Sequence, residues 1–136
     1  DYIADMRATL SKELLTITSV ALAEAARVAD VIPLVIPESL GNLADLDDFE
    51  AAAASGRQMG SEGGFCAHPG QVERLNKVFT PSEGELAEAR RIVAAAKEAE
   101  RQGLGAVRLD DRMIDGPIIV RAQRLIDRAE RFQISP

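Results

Sequence analysis

Three stretches of this sequence concentrate side chains that can do chemistry. The first is Asp1 to Arg7, with carboxylates at Asp1 and Asp5. Carboxylate oxygens suit a hard divalent ion such as Mg²⁺, which prefers oxygen ligands and keeps several waters. A solvated acidic loop is the plainer reading. The second is Gly60–Gln71, which carries the single histidine, His68, and Gln71. A lone imidazole is a candidate acid or base near neutral pH. No partner adjoins it in sequence, and a His beside a Pro also serves as a hydrogen-bonded turn residue. His68 and Gln71 therefore stand either as structural residues or as the edge of a site. The third is Asp110–Pro117, reading DDRMIDGP. Asp115 lies two residues before a helix-opening Pro. It is either an N-terminal cap or a carboxylate carried on a mobile lid. The usual phosphate-binding glycine loops, zinc-ligand spacings and Ser-His-Asp sets are missing from the sequence.

The elements that must position these groups follow from periodicity. Residues 11–29 predict a helix, with Leu14, Leu15, Ile17, Val20, Ala21, Ala25 and Val28 at helical spacing. The run 31–37, VIPLVIP, suits a strand buried on both faces of a parallel sheet, although its two prolines donate nothing to a ladder. Residues 45–59 predict a second helix, capped by Asp45 and stopped by Gly60. Residues 64–68 predict a second short strand, and 71–79 a third helix. Thr80-Pro81-Ser82-Glu83 reads as a capping box with Thr80 at the N-cap. The helix it opens runs to about residue 102, with Leu86, Ala89, Val93 and Ala96 inward. Residues 106–109 are a brief extended piece, and Asp110–Asp115 a polar turn. Pro117 opens a last helix with Ile118, Ala122, Leu125, Ala129 and Phe132 on one stripe.

This order implies an α/β fold with parallel strands and right-handed crossovers. Two strands cannot make a sheet alone. The chain also opens on Asp1 rather than Met, so the expectation is a portion of a longer protein. The 136 residues, 46% of them apolar, describe a folded chain with a core. The net charge of −6, scarce aromatics and absent Trp argue against a nucleic-acid surface. The longest aliphatic run is too short to cross a bilayer. A single cysteine, Cys66, excludes an intrachain disulfide and fits a reducing, cytoplasmic compartment. In an apolar strand it is expected to pack as a small buried hydrophobe.

Four pieces, in order, resemble the citrate lyase β-subunit-like and malyl-CoA lyase-like family. Asp1-Tyr2-Ile3-Ala4-Asp5-Met6 is similar to that family's acidic strand end. Gly60–Gln71 is similar to its Ile-His-Pro-x-Gln strand end and following helix. Phe79-Thr80-Pro81-Ser82 resembles its helix cap. Gly105-Ala106-Val107 with Met113-Ile114-Asp115-Gly116-Pro117 resembles its C-terminal signature. Gly64, Ala67, Ser61 and Glu62 depart from residues common there, namely Lys, Ile, Phe and Asp.

The resemblance implies the C-terminal third of a TIM (β/α)8 barrel over residues 1–79. A C-terminal helical lid over 80–136 would cover a neighbouring subunit. Asp1 would end the sixth strand; residues 31–37 and 64–68 would be the seventh and eighth. It implies a homo-oligomer, trimer or hexamer, and a Mg²⁺-dependent carbon–carbon lyase acting on a 3-hydroxyacyl-CoA thioester and releasing an α-keto acid. Asp1 matches one metal ligand; the family's second carboxylate and its Arg have no counterpart in this sequence. Asp115 matches the catalytic acid, and Ile114 with Asp115 the substrate-binding positions. Two other readings stay open: a catalytically silent assembly module, and a helical subunit without a site.

Overall fold

The structure, a computed structural model, describes residues 2–37, 45–104 and 107–133. It divides into two compact units, residues 1–79 and 80–136. Each is built by its own sequence logic.

The first unit contains α1 (Tyr2–Asp5), α2 (Lys12–Val28), α3 (Leu46–Gln58) and α4 (Pro69–Phe79). Ser11 caps α2 by accepting the Leu14 N–H at 3.2 Å. Asp45 caps α3 by accepting from the Asp47 and Asp48 N–H groups at 3.1 and 2.9 Å. Gly60, at φ +99°, lies just past the end of α3, as its sequence suggests. Phe49, Ala53, Leu75 and Phe79 form the core between α3 and α4. Glu50 ties the same pair of helices together on the outside, accepting from Arg74 at 2.6 Å and Lys77 at 2.5 Å.

The packing of α2 is not read from its spacing, and the expected strands fail. The inward face of α2 is Ser19, Ala23 and Ala26, while Ile17 and Val28 are 69% and 90% exposed. The helix is apolar nearly all round, so periodicity does not single out the stripe that packs. Residues 31–37 and 64–68 form no strand. The first of them meets the turn that precedes the second, through Glu62 N–H to Pro33 O (2.9 Å) and Val35 N–H to Ser61 Oγ (2.8 Å). One main-chain bond and one side-chain bridge do not make a ladder. Pro33 and Pro37 lack donors, and among the described residues of this unit no strand is present to pair with. Val31, Ile32, Leu34 and Phe65 are consequently exposed. The α/β parallel sheet is thus replaced, among the described residues, by helices and irregular segments. Gly56 brings α3 against this region: a Cβ there would lie 2.6 Å from the Val35 carbonyl oxygen.

The second unit contains α5 (Glu83–Arg101), β1 (Val107–Leu109), β2 (Arg112–Ile114) and α6 (Gly116–Gln133). The cap of α5 is Ser82, not Thr80. Ser82 Oγ accepts the Glu85 N–H at 3.2 Å, and Glu85 Oε2 accepts the Ser82 N–H at 2.8 Å. Both registers satisfy the capping-box spacing; packing selects the later one, with Pro81 buried ahead of the helix. The polar turn expected over 110–115 is half strand. β1 and β2 pair antiparallel, Val107 opposite Ile114 and Leu109 opposite Arg112. Only Asp110 and Asp111 turn, at φ +47° and +61°, the left-handed pair a two-residue hairpin needs. Ala89, Ile92, Val93, Ile114 and Ala122 form the core, flanked by Leu109, Ile119, Leu125 and Ile126. Gly105 and Ala106, and the side chain of Phe132, lie outside the described residues.

Candidate functional site

Asp115 is exposed, at the junction between β2 and α6. Its Oδ1 accepts the Ile118 N–H at 3.3 Å, and its carbonyl accepts the Ile119 N–H at 3.1 Å. The carboxylate thus caps α6, and its second oxygen makes no hydrogen bond among the described residues. Capping and presentation to a ligand are compatible in this geometry. Ile114, the residue before it, is 2% exposed and belongs to the core. Its side chain has almost no surface to offer a substrate; what it does is clamp the end of β2, and with it Asp115, onto α5 and α6.

The hairpin leading to Asp115 is held by ion pairs. Arg108 meets Asp111 at 2.5 Å. Arg91 pairs with Asp110, and Glu88 receives both Arg91 and Arg112. The Asp110 hydrogen bond, then the Asp110 and Glu88 charges, hold the Arg91 guanidinium above its ordinary pKa. A cleft of about 340 Å³ beside the hairpin is lined by Val107, Arg108, Asp111 and Met113.

In the first unit, His68 is exposed and Gln71 is 0% exposed. The structure joins them in a reciprocal cap at the start of α4. His68 Nδ1 accepts the Gly70 N–H at 3.1 Å. Gln71 Oε1 accepts the Ala67 and His68 N–H groups at 2.8 and 3.1 Å. The Gln71 side follows the capping-box pattern, while His68 holds the Gly70 N–H and its carbonyl accepts the Gln71 N–H at 3.0 Å. The sequence signal was available: a polar residue, Pro at the first helical position, and Gln three residues on. Gln71 Nε2 is buried without a partner among the described residues. Gly64 sits close by, where a Cβ would meet Ile36 Cδ1 at 2.2 Å. A longer residue at 64 therefore requires Ile36 to move.

Cys66 is exposed, not buried as a strand residue would be. Partial desolvation still raises its thiol pKa, which keeps thiolate scarce at neutral pH. Asp1 lies outside the described residues, and Asp5 ends the short helix α1. Among the described residues no group of three or more His, Cys, Asp or Glu is placed to hold a metal ion. The described residues therefore do not by themselves fit a Mg²⁺ site. Among them also, no helix is long and apolar enough to cross a membrane.

No protein-family model matches the chain. A search of curated proteins finds the citrate lyase subunit beta of Haemophilus influenzae, 36% identical over 132 residues, covering 96% of this chain and 45% of that protein. The L-malyl-CoA/beta-methylmalyl-CoA lyase of Rhodobacter capsulatus is 34% identical over 114 residues, covering 84% of this chain and 35% of the relative. Among solved structures, protein CitE from Mycobacterium tuberculosis, in complex with magnesium, acetoacetate and coenzyme A, matches with a TM-score of 0.54 and 29% identity. That match covers 66% of this chain and 32% of CitE. The chain spans less than half the length of the relatives it matches.

Proposed function

We propose, from the premise that this chain is homologous over most of its length to citrate lyase β subunits and malyl-CoA lyases, that its protein is a Mg²⁺-dependent carbon–carbon lyase. The substrate is a 3-hydroxyacyl-CoA thioester of malyl, citramalyl or citryl type. The products are an acyl-CoA and an α-keto acid. In this reading the whole protein is a TIM barrel to which residues 1–79 contribute the last strands and helices. Residues 31–37 and 64–68 become strands only when neighbours pair with them. Residues 80–136 form the helical lid of a homo-oligomer, and the single cysteine suits the cytoplasm.

The observation that carries the reading is the match over 96% of the chain, in which the Met113–Pro117 segment sets an exposed carboxylate at a rigid junction. In the cleavage direction the hydroxyl of the substrate passes its proton to a base elsewhere in the whole protein and becomes a carbonyl. The carbon–carbon bond breaks, its electron pair passes to the thioester as an enolate, and the enolate takes a proton at carbon. Asp115 is assigned that last transfer, as the acid toward the thioester carbon. Its capped oxygen fixes the group; its other oxygen carries the proton. In this reading Asp1 is one Mg²⁺ ligand and the remaining ligands lie elsewhere in the whole protein.

The test is a cleavage assay across malyl-, citramalyl- and citryl-CoA with Mg²⁺, on the intact protein and on Asp115→Asn. Turnover should fall by about two decades or more, with the fold unchanged by circular dichroism. Unchanged turnover removes Asp115 from catalysis. A wild-type protein inert across the panel leaves the assembly-module reading in its place.

A further inference from the structure

The hairpin that leads to Asp115 is built on an unfavourable turn. A two-residue hairpin turn puts both central residues at positive φ, and Asn-Gly or Asp-Gly is the usual choice because glycine takes that conformation freely. Here both positions are aspartate, Asp110 at φ +47° and Asp111 at φ +61°. The turn therefore combines two left-handed non-glycine residues with two adjacent negative charges. The ladder it joins is three residue pairs long. Left to itself, so short a ribbon is marginal.

Cations on two sides offset this. Arg108 of β1 takes Asp111 within the hairpin. Arg91 of α5 takes Asp110. Glu88, three residues earlier on α5, receives Arg91 at 3.0 Å and also Arg112, the first residue of β2. Residues three apart share a helix face. One face of α5 thus grips the hairpin at two points, its turn and the start of β2. The far end of β2 is held by the buried Ile114. Asp115 follows at once, with Oδ1 on the Ile118 N–H. A three-residue strand pinned at its far end alone can pivot; pinned at both ends it cannot. An isolated exposed ion pair contributes little, whereas several charges joined in a network contribute more. Glu88 is the centre of this one, half-buried and bonded to two guanidinium groups.

We propose that Glu88 is a positioning residue: through Arg112 and Arg91 it fixes the register of β2 and so aims the second oxygen of Asp115. This rests on the reading of Asp115 as the acid toward the thioester carbon, and adds to it the side chain that holds the acid in place. Glu88 itself touches no substrate. Its loss leaves the proton transfer misaligned, an interaction made in the transition state, so kcat and kcat/KM fall together while KM stays.

The experiment uses the intact protein and two readouts. One is turnover of malyl-, citramalyl- and citryl-CoA; the other is hydrogen exchange of the Ile118 amide, which the Asp115 carboxylate caps. E88Q should lower kcat about threefold or more at unchanged KM and speed Ile118 exchange by a similar factor, with the thermal midpoint close to wild type. R112Q should do the same. E88Q/R112Q should be no worse than either alone, because both remove one tether. R101Q breaks the Glu98–Arg101 pair elsewhere on α5 and should change neither readout. Wild-type kcat and Ile118 exchange in E88Q overturn the proposal. Additive losses in the double variant overturn it too, as does faster exchange spread evenly over α5 and α6, which would make Glu88 a stability residue alone. The lyase reading fails separately. An inert wild type whose Ile118 exchange responds to E88Q keeps the tether and loses that reading; an active lyase in which E88Q moves neither readout does the opposite.

Discussion

Among the described residues, most large apolar side chains of 80–133 are covered, with Leu104, Met113, Ile118 and Val120 exposed, whereas residues 2–79 leave more of theirs in solvent. The hairpin and two long helices of the second unit close around Ile114, Ile92 and Val93, which are 2%, 8% and 9% exposed. In the first unit Phe49 and Phe79 are equally well covered, yet Ile32 and Phe65 are each 62% exposed. The difference lies in what each segment needs. Helices satisfy their own backbone and need only one neighbour for an apolar stripe. A segment such as 31–37 needs partners on both sides to satisfy its main chain and to cover its side chains. The candidate carboxylate Asp115 therefore stands on a scaffold completed within its own unit. The His68–Gln71 turn stands on one that is complete on the α3–α4 side alone.

The comparison can be broken most forcefully in the core. Phe49→Ala should cost about 3–5 kcal/mol, read by urea denaturation. Hydrogen exchange should show the loss in α3 and α4 with α5 and α6 still protected. Equal loss of protection in both units would mean that they unfold as one. Ile114→Ala, the reciprocal experiment, should cost about 2–5 kcal/mol, confined to the second unit. It should also lower turnover, through misplacement of Asp115.

A smaller effect belongs to Gln71, whose Oε1 holds two backbone N–H groups. Gln71→Ala should cost about 1–3 kcal/mol, with the amides of Ala67 and His68 exchanging faster. Unchanged exchange at those two amides would remove the cap. The smallest effect is electrostatic. Hydrogen bonds from Lys77, then Arg74, hold the Glu50 carboxyl below its ordinary pKa. Its folded-state pKa is the lower one, so its contribution is present above the unfolded carboxylate pKa. That contribution is lost as pH falls through the folded value. Glu50→Gln should flatten this acid limb of the stability–pH curve, slightly, because solvent screens the pair. An acid limb identical to wild type would show that Glu50 contributes nothing to it.

Local chemistry was legible wherever one short stretch decides the outcome. Asp45, Gly60 and the Asp115 cap do their work within three or four residues, so side-chain type and spacing suffice. The Ser82 cap was misplaced by two residues because two overlapping registers satisfy the same pattern and only the burial of Pro81 separates them. For His68 and Gln71 the sequence offered a hydrogen-bonded turn without naming a cap, because His is an uncommon cap, although the Pro and Gln spacing was there to read.

By itself the sequence determined the longer helices, the Asp45 cap, the excess of negative charge and the family kinship, because each is written in residue types and short-range spacing. Tertiary structure decided which face of α2 is buried, that the Ile114 side chain packs in the core, and that Cys66, Val31, Ile32 and Leu34 are not covered. Those outcomes depend on which surfaces meet, and an apolar side chain reads the same in a sequence whether or not a partner is there to cover it.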